Sequence, residues 1–484
     1  MISQVLFLTL ASLTHAQGWS YPSISIDVPL LGDYQTKDIL VTEGNHIHQI
    51  WCPYESEARV GHNIVLPDGT RLLDDRMLSQ DTWSAYQSMS WASDSTVIAF
   101  WRQNISPIWH CIMDTDGNLI NPQELYSAEG WYSWPLIDSS PDSLGRIHMV
   151  RNLPDGLICY SVLDPGVGEV FRDTIPDSHQ QSLIIVDGDR VHIKYNKGWP
   201  DDSAMYIQYD LEGNVTVLPI SLVDEEADES NRCSMTLDSN GNAMVFLVEN
   251  PDDAQPRFLS LYKINRDTGS LLIDRKILYW PSEWTTLKEP VILPRPGAES
   301  FYLLWGEGEL GGSPHIHYIK FAIIDSDGNF IEEPYIAYDY SDEDPQDLER
   351  IAADVNTDGD VFVNWSAYFE SIDSYYIVLG WFDHNWVSVE GEEYEEVEQV
   401  SMRISASANP FSDILEISIS GGAEQPDVFV YDLQGRHIIN LFPDGQGFCL
   451  WDGKDSNGNE LPAGAYVIRA ESGGESSSLQ IVKL

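Results

Sequence analysis

Short apolar runs recur along the chain. Each follows a tight polar turn and closes on a large residue. "VTEGNHIHQIW" ends at Trp51, "WASDSTVIAFW" at Trp101 and "DVNTDGDVFVNW" at Trp365. Aligned on the closing residue, the runs end at Trp51, Trp101, Arg151, Tyr195, Leu247, Trp305 and Trp365, at separations of 50, 50, 44, 52, 58 and 60 residues. The turns before them, among them "TEGN", "DSLG", "DSNG" and "NTDG", hold Asp, Asn and Gly, which tolerate the positive φ of a tight hairpin. A second apolar or mixed run precedes each turn, for example "SLIIV" or "CSMTL". A second hairpin follows in most units, with turns such as "LPDGT", "DTDGN", "DLEGN" and "DSDGN"; the seventh unit offers only "WFDHNW".

Each unit therefore reads as four short antiparallel strands. Inner runs such as "TVIAFW", "AMVFL" and "SFYLLW" are apolar on both sides. A four-stranded sheet with two apolar faces needs a neighbour above and below, and radial stacking in a closed ring supplies both. The predicted fold is all-β, a seven-bladed β-propeller over residues 17–388, with six and eight blades as alternatives. "SISIDVPL" (Ser23 to Leu30) is expected to close the ring by joining the last blade. Trp51, Trp101, Trp305 and Trp365 are expected to pack between blades; a ligand platform is the alternative.

Alternation along the strands sends the tight Asp/Gly turns to one face and the longer loops to the other, where propeller ligands are held. The loop face is expected to carry Trp83, Tyr86, Trp131, Tyr132, Trp134, Trp199, Trp280 and Trp284, with Arg102, Arg151 and Lys197 beside carboxylates such as Glu307 and Glu309. Aromatic rings stack on the apolar faces of sugars while polar groups bind hydroxyls, so the candidate ligand-binding set is Trp83, Trp131, Trp134, Arg102, Arg151, Lys197, Trp280, Trp284 and Glu307. Capping of the blade tops is the structural alternative.

Charge narrows the partners. Asp and Glu number 77 against 26 Lys and Arg, a net charge of -51. A nucleic-acid binder needs cations to displace counterions, and an anionic membrane repels such a chain. With 16 Trp and 23 Tyr the chain is not a disordered acidic segment. No stretch after the start approaches the roughly 18 apolar residues of a membrane span. The start, "MISQVLFLTLASLTHAQG", has a short apolar core and a small-x-small site at Thr14 to Ala16, so residues 1–16 read as a signal peptide, although no Lys or Arg precedes the core. The five cysteines, Cys52, Cys111, Cys159, Cys233 and Cys449, are too sparse for a disulfide scaffold; one bridge among the first four is a candidate.

"DVNTDGD" matches the first half of a calcium loop, with Asp354, Asn356 and Asp358 as oxygen donors. The glutamate of the twelfth position is missing, Trp365 standing there, and the segment equally fits the repeat's hairpin turn. No cofactor is expected beyond this candidate Ca2+. His46-x-His48 and His315-x-His317 each place two imidazoles on one strand face, a candidate zinc or copper pair without a third ligand. No nucleophile elbow, P-loop or zinc-protease helix is present.

The repeat region resembles sialidase-like and BNR-repeat propellers. The strings nearest to their Asp-box are "SPDSLGRIHMV" and "LDSNGNAMVFL", which lack its closing Thr-Trp and fall at a different hairpin. No local signature marks that family's arginine triad or Tyr-Glu pair, so the resemblance implies architecture and leaves catalysis open.

Six glutamates in "VEGEEYEEVEQV" repel one another and mark residues 389–400 as an acidic linker. Beyond it, residues 401–484 read as a small β-sandwich of short alternating strands. "NPF" at Asn409 to Phe411, "YDLQGR" at Tyr431 to Arg436, "WDGKDSNGNELPAGAY" at Trp451 to Tyr466 and the final "IVKL" resemble the Ig-like C-terminal module of type IX secretion sorting domains and of flagellar hook-capping proteins. The resemblance implies an address read by secretion machinery, cargo delivered outside the cell or to the outer-membrane surface, and a Gram-negative source of the Bacteroidetes type. A plain adhesive module is the alternative. The functional expectation is a secreted or surface propeller that binds extracellular glycan or protein. A sialidase-like glycoside hydrolase and a structural surface protein stand as alternatives.

Overall fold

The computed structural model describes residues 14–15, 23–30, 36–384 and 403–483, with short breaks, chiefly at 53–58, 80–83, 128–136, 198–202, 224–232, 250–256, 310–317 and 340–346. The chain is all-β and divides into two units, Met1–Val387 and Ser388–Leu484. Residues 389–400 and His315 and His317 lie outside the described residues.

Among the described residues the first unit contains seven antiparallel sheets, at 36–77, 84–127, 137–175, 183–221, 233–279, 285–339 and 347–382. They are numbered one to seven here. Strands follow chain order across each sheet, as hairpin connections dictate. Sheet seven takes its outer strand from the start of the chain: Ser23–Leu30 pairs with Ser374–Phe382 in the registers Ser23↔Leu379 and Ile26↔Ile377. Two residues within the expected leader, Thr14–His15, pair with the outer strand of sheet six. The first strand of each sheet neighbours the first strand of the next, and that of sheet seven neighbours that of sheet one, so the order is cyclic.

Burial follows from this stacking. Middle strands such as Ile47–Cys52, Ala243–Glu249 and Phe258–Ile264 are buried along their whole length, hence the lack of polar alternation in their sequences. Outer strands alternate, as in Arg71–Met77. Along the second strand, successive side chains face the preceding and the following sheet in turn. Trp51, Trp101, Trp305 and Trp365 are all buried. Trp101 packs with Leu40 and Ile50 of sheet one, Trp305 lies 5.0 Å from Tyr279 of sheet five and Trp365 lies 4.9 Å from Tyr338 of sheet six. Trp101, Trp305 and Trp365 fill the spaces between sheets, and none of the four forms a surface platform.

The hairpin turns share a mechanism. Asp114 Oδ1 accepts from the backbone N–H of Asp116 and Asn118 at 3.0 and 2.7 Å, and the Asn118 amide donates to Oδ2 at 2.9 Å. The D-x-x-G-N strings at 210–214, 238–242, 325–329 and 455–459 repeat these Asp–Asn bonds. Burial works against ionisation of Asp114, Asp210, Asp238 and Asp325, but these donors hold each carboxyl below its ordinary value.

Sheets are also tied together near the inner strands. Asp38 Oδ2 accepts from Met89 N in sheet two at 2.8 Å, Asp138 Oδ2 from Ile184 N in sheet four at 2.8 Å, and Asp354 Oδ2 from Val41 N in sheet one at 2.7 Å. The other oxygen of each accepts from the next residue's own amide. Burial raises all three carboxyls, Asp38 to about 7 and Asp138 and Asp354 to about 6; Asp138 and Asp354 add to the rise at Asp38.

The turn end of sheets one and two holds a histidine chain. His46 Nδ1 and His48 Nε2 lie 3.1 and 3.0 Å from the Thr115 carbonyl, which can only accept, so both nitrogens carry protons. His48 Nδ1 then accepts from His62 Nε2 at 3.2 Å, and His62 Nδ1 accepts from Arg76 at 3.1 Å. Burial lowers His48 to about 4 and His62 well below its ordinary value, so both rings are neutral. The His46-x-His48 motif is thus committed to joining two sheets.

In the second unit, sheets of three strands (403–406, 415–420, 448–451) and four strands (427–432, 437–441, 464–472, 475–483) share one core as a sandwich. Three of the strings that carried the resemblance supply residues of that core, Phe411, Trp451 with Tyr466, and Ile481. Phe411 and Tyr466 flank Trp451 at 5.3 and 5.5 Å, the Trp451 indole donates to the Lys454 carbonyl at 3.0 Å, and Lys483 donates to the Leu461 carbonyl at 3.0 Å. None of the five cysteines forms a disulfide. No helix among the described residues is long and apolar enough to cross a membrane.

Candidate functional site

Of the candidate ligand-binding residues, Trp83, Trp131, Trp134 and Trp284 lie outside the described residues, as do Trp199 and Tyr132. The rest end the second or fourth strands on the loop side. Arg102 is half-buried at the end of Thr96–Gln103. Arg151 is fully buried, 3.6 Å from Glu169 with its guanidinium 5.8 Å from the Tyr126 ring centre. Tyr126 donates to Glu169 at 3.1 Å. Lys197 is half-buried and pairs by backbone with Ser203 and Ser178. Arg102, Arg151 and Lys197 belong to separate sheets.

Trp280 and Glu307 belong to richer surroundings. Trp280 follows the outer strand of sheet five and is 48% exposed. Its indole nonetheless stacks on buried Phe258, centroids 5.0 Å apart and planes 14° from parallel. The Arg275 guanidinium lies 5.0 Å from the same phenyl ring and 2.7 Å from Glu249 Oε2. Glu249 is fully buried; its Oε1 accepts from the hydroxyls of Ser260 and, at 3.0 Å, Tyr262. Arg275 has φ 62°, a left-handed conformation uncommon outside glycine, within a register shift of the outer strand. The kink delivers a guanidinium to a buried carboxylate and braces the ring that carries Trp280.

Glu307 faces sheet five. It accepts from Tyr279 at 2.8 Å and lies 3.7 Å from Lys320, whose ammonium stands 5.8 Å from the Tyr279 ring centre. Burial, then Glu307, pushes the Tyr279 hydroxyl well above its ordinary value. Glu249 was missed in the sequence, although a signal existed. It follows Leu247 by two residues, as Glu307 follows Trp305 and Lys197 follows Tyr195. One register position therefore carries a charge in sheets four, five and six.

The calcium-like turn is occupied by its own hydrogen bonds. Asp354 serves the amides of Val41 and Val355. Asn356 Oδ1 accepts from Asp360 N at 2.7 Å and its amide donates to Asn45 at 2.8 Å; Asp358 is exposed. Beside this turn, ligand atoms of Asp360, Asp383 and His384 all lie within 4.8 Å of one another. That nitrogen and oxygen set is chemically competent for a divalent ion. In the structure His384 Nδ1 lies 2.8 Å from Asp360 Oδ1, and the two hold each other.

No family profile and no curated protein matches the chain. Similar solved structures include PorZ, a surface component of the type-IX secretion system of Porphyromonas gingivalis (10% identity, TM-score 0.32, covering 93% of this chain and 70% of that one). The SapL1 lectin in complex with alpha methyl fucoside is 9% identical, with a TM-score of 0.39 over 66% of this chain and 99% of that one. A subtype N10 neuraminidase-like protein of A/little yellow-shouldered bat/Guatemala is 10% identical, with a TM-score of 0.39 over 77% and 100%. At these identities and TM-scores the likenesses carry no functional assignment.

Proposed function

We propose that this chain is a secreted or cell-surface seven-bladed β-propeller that binds an extracellular glycan through its loop face. The C-terminal sandwich acts as an Ig-like type IX sorting module that presents the chain to the export machinery. The observation behind the binding reading is Trp280: a half-exposed indole, stacked on buried Phe258 and braced by Arg275 over a buried carboxylate. An indole held flat at a surface offers a rigid platform for the C–H face of a pyranose at little cost in side-chain entropy, and the guanidinium supplies donors for hydroxyl or carboxylate groups beside it. A glycan array probed with the full chain is expected to return hits whose affinity falls at least tenfold in Trp280→Ala. An array silent for the native chain, or hits that bind the variant equally well, overturns this reading.

The Tyr279–Glu307 pair favours a second reading, a sialidase-like hydrolase. A carboxylate accepting a tyrosine proton at 2.8 Å can act as the base for a phenolic nucleophile. The raised Tyr279 hydroxyl would depend on that base. If this reading holds, the chain hydrolyses fluorogenic sialosides and Glu307→Gln lowers kcat at least a hundredfold. A native chain without hydrolysis eliminates it.

A further inference from the structure

The seam between sheets seven and one differs from its counterparts. Each second strand can be aligned four residues before the large residue that closes its run: at Ile47, Val97, Ile147, Val191, Ala243, Phe301 and Val361. Two residues further on, the side chain faces the preceding sheet. There Ala99, Met149, Ile193, Val245, Leu303 and Val363 are buried and apolar in sheets two to seven, but sheet one has Gln49. Three residues further on, the side chain faces the following sheet. There sheet seven has Asn364, against Ile50, Phe100, Val150, Phe246 and Leu304; Lys194 in sheet four is the polar exception. Gln49 and Asn364 therefore enter the same seam from opposite sides at adjoining levels.

Both residues are fully buried, and neither the nitrogen nor the oxygen of either carboxamide has a hydrogen-bond partner among the described residues. They border an apolar cluster shared by the two sheets, including Ile39, Val41, Ile47, Phe362 and Leu379. Buried polar groups are normally satisfied. Two donors and two acceptors in one seam also specify what satisfies them. A cation serves only the oxygens and an anion only the nitrogens, whereas water both donates and accepts. The same seam is joined by polar bridges, Asp354 to Val41 N at 2.7 Å and Asn356 to Asn45 at 2.8 Å. Its seventh sheet is also the one whose outer strand comes from the start of the chain.

We propose that the seam between sheets seven and one holds buried water and is the joint at which the ring opens first. Apolar seams of matching residues exclude water and part only with loss of their whole contact area. A seam with carboxamides in its centre exchanges protein–water for protein–water bonds as it opens, so its opening is less costly.

Hydrogen–deuterium exchange of the full chain tests this. Amides in 47–52 and 361–369 are expected to exchange at least tenfold faster than those of the equivalent strands 147–152 and 301–306. The near-isosteric double variant Gln49→Met, Asn364→Leu is expected to bring the first pair within threefold of the second. Equal rates in the native chain overturn the proposal, as does a folded double variant whose exchange is unchanged. If the variant does not fold, the native comparison decides alone.

Discussion

Gly380→Ala is expected to destabilise the first unit by about 3 kcal/mol, near the upper end for overpacking in a filled core. Gly380 lies in Ser374–Phe382 of sheet seven, and a Cβ there would overlap the hydroxyl and ring of Tyr338 from sheet six. Tyr338 cannot retreat. It is fully buried, packed 4.9 Å from Trp365, and shares a cluster with Ile319, Phe321, Val363 and Val378. The far end of a rigid ring is not a flexible tail that swings aside, so the backbone of one sheet must move against the other. The matching control is Gly44→Ala, whose Cβ would meet only the His46 ring at an ordinary 3.6 Å. Urea denaturation of the two variants should differ by the full amount. Equal midpoints would mean that Tyr338 does not occupy the space above Gly380.

The stability contributed by Asp38, Asp138 and Asp354 is expected to fall as pH rises from about 4 to about 7. Two groups of aspartates act in opposite directions. Asp38, Asp138 and Asp354 are raised by burial to about 7, about 6 and about 6. Between the unfolded value near 3.8 and those folded values, the native state binds more protons than the unfolded chain, so raising the pH removes stability. The turn aspartates Asp114, Asp142, Asp210, Asp238 and Asp325 are held below 3.8. Their contribution is present above the unfolded value and is lost as pH falls through the folded ones. Buried histidines act the other way: burial lowers His48 to about 4, His192 to about 3, and His62, His110 and His148 below the ordinary value, so each adds stability as pH rises toward 6.5. General repulsion from a net charge of -51 slopes the same way as the buried aspartates, so a variant must separate these effects. The stability of Asp38→Asn relative to the native chain should rise between pH 5 and 7 and stay constant below pH 4. A variant whose thermal midpoint follows the native pH dependence between pH 5 and 7 would refute the burial of Asp38.

The two classes of aspartate also show how far the sequence could be read. The turn aspartates act on residues two and four places away, so their role is visible in a five-residue string such as "DTDGN". The closing aromatics were legible for a similar reason, since equal spacing implies equal place. Asp38 and Asp354 look like any other strand residues, because the amides they serve, Met89 and Val41, stand 51 and 313 residues away. The same limit hid the Phe258–Trp280 stack and the partners of Glu249. Period-two alternation tells which way a side chain points and nothing about what the facing sheet presents there. Gln49 was hidden differently: beside His48 it is one of two polar residues of "IHQIW", in a strand that is buried along its whole length. The calcium-like string serves two readings, because a hairpin closed by Asx bonds and a cation loop draw on the same Asp, Asn and Gly.

The pairing of Ser23–Leu30 with Ser374–Phe382 carries a consequence for biogenesis. Ser23–Leu30 is synthesised long before its partner strand and has no edge to join until the last sheet of the unit has been made. A chain interrupted anywhere before residue 374 leaves that segment unmatched and the circle incomplete, while the sheets already formed can stack in order. Assembly of the first unit is thus gated by its own final strand, and an early-released fragment carries a loose end that proteases can recognise.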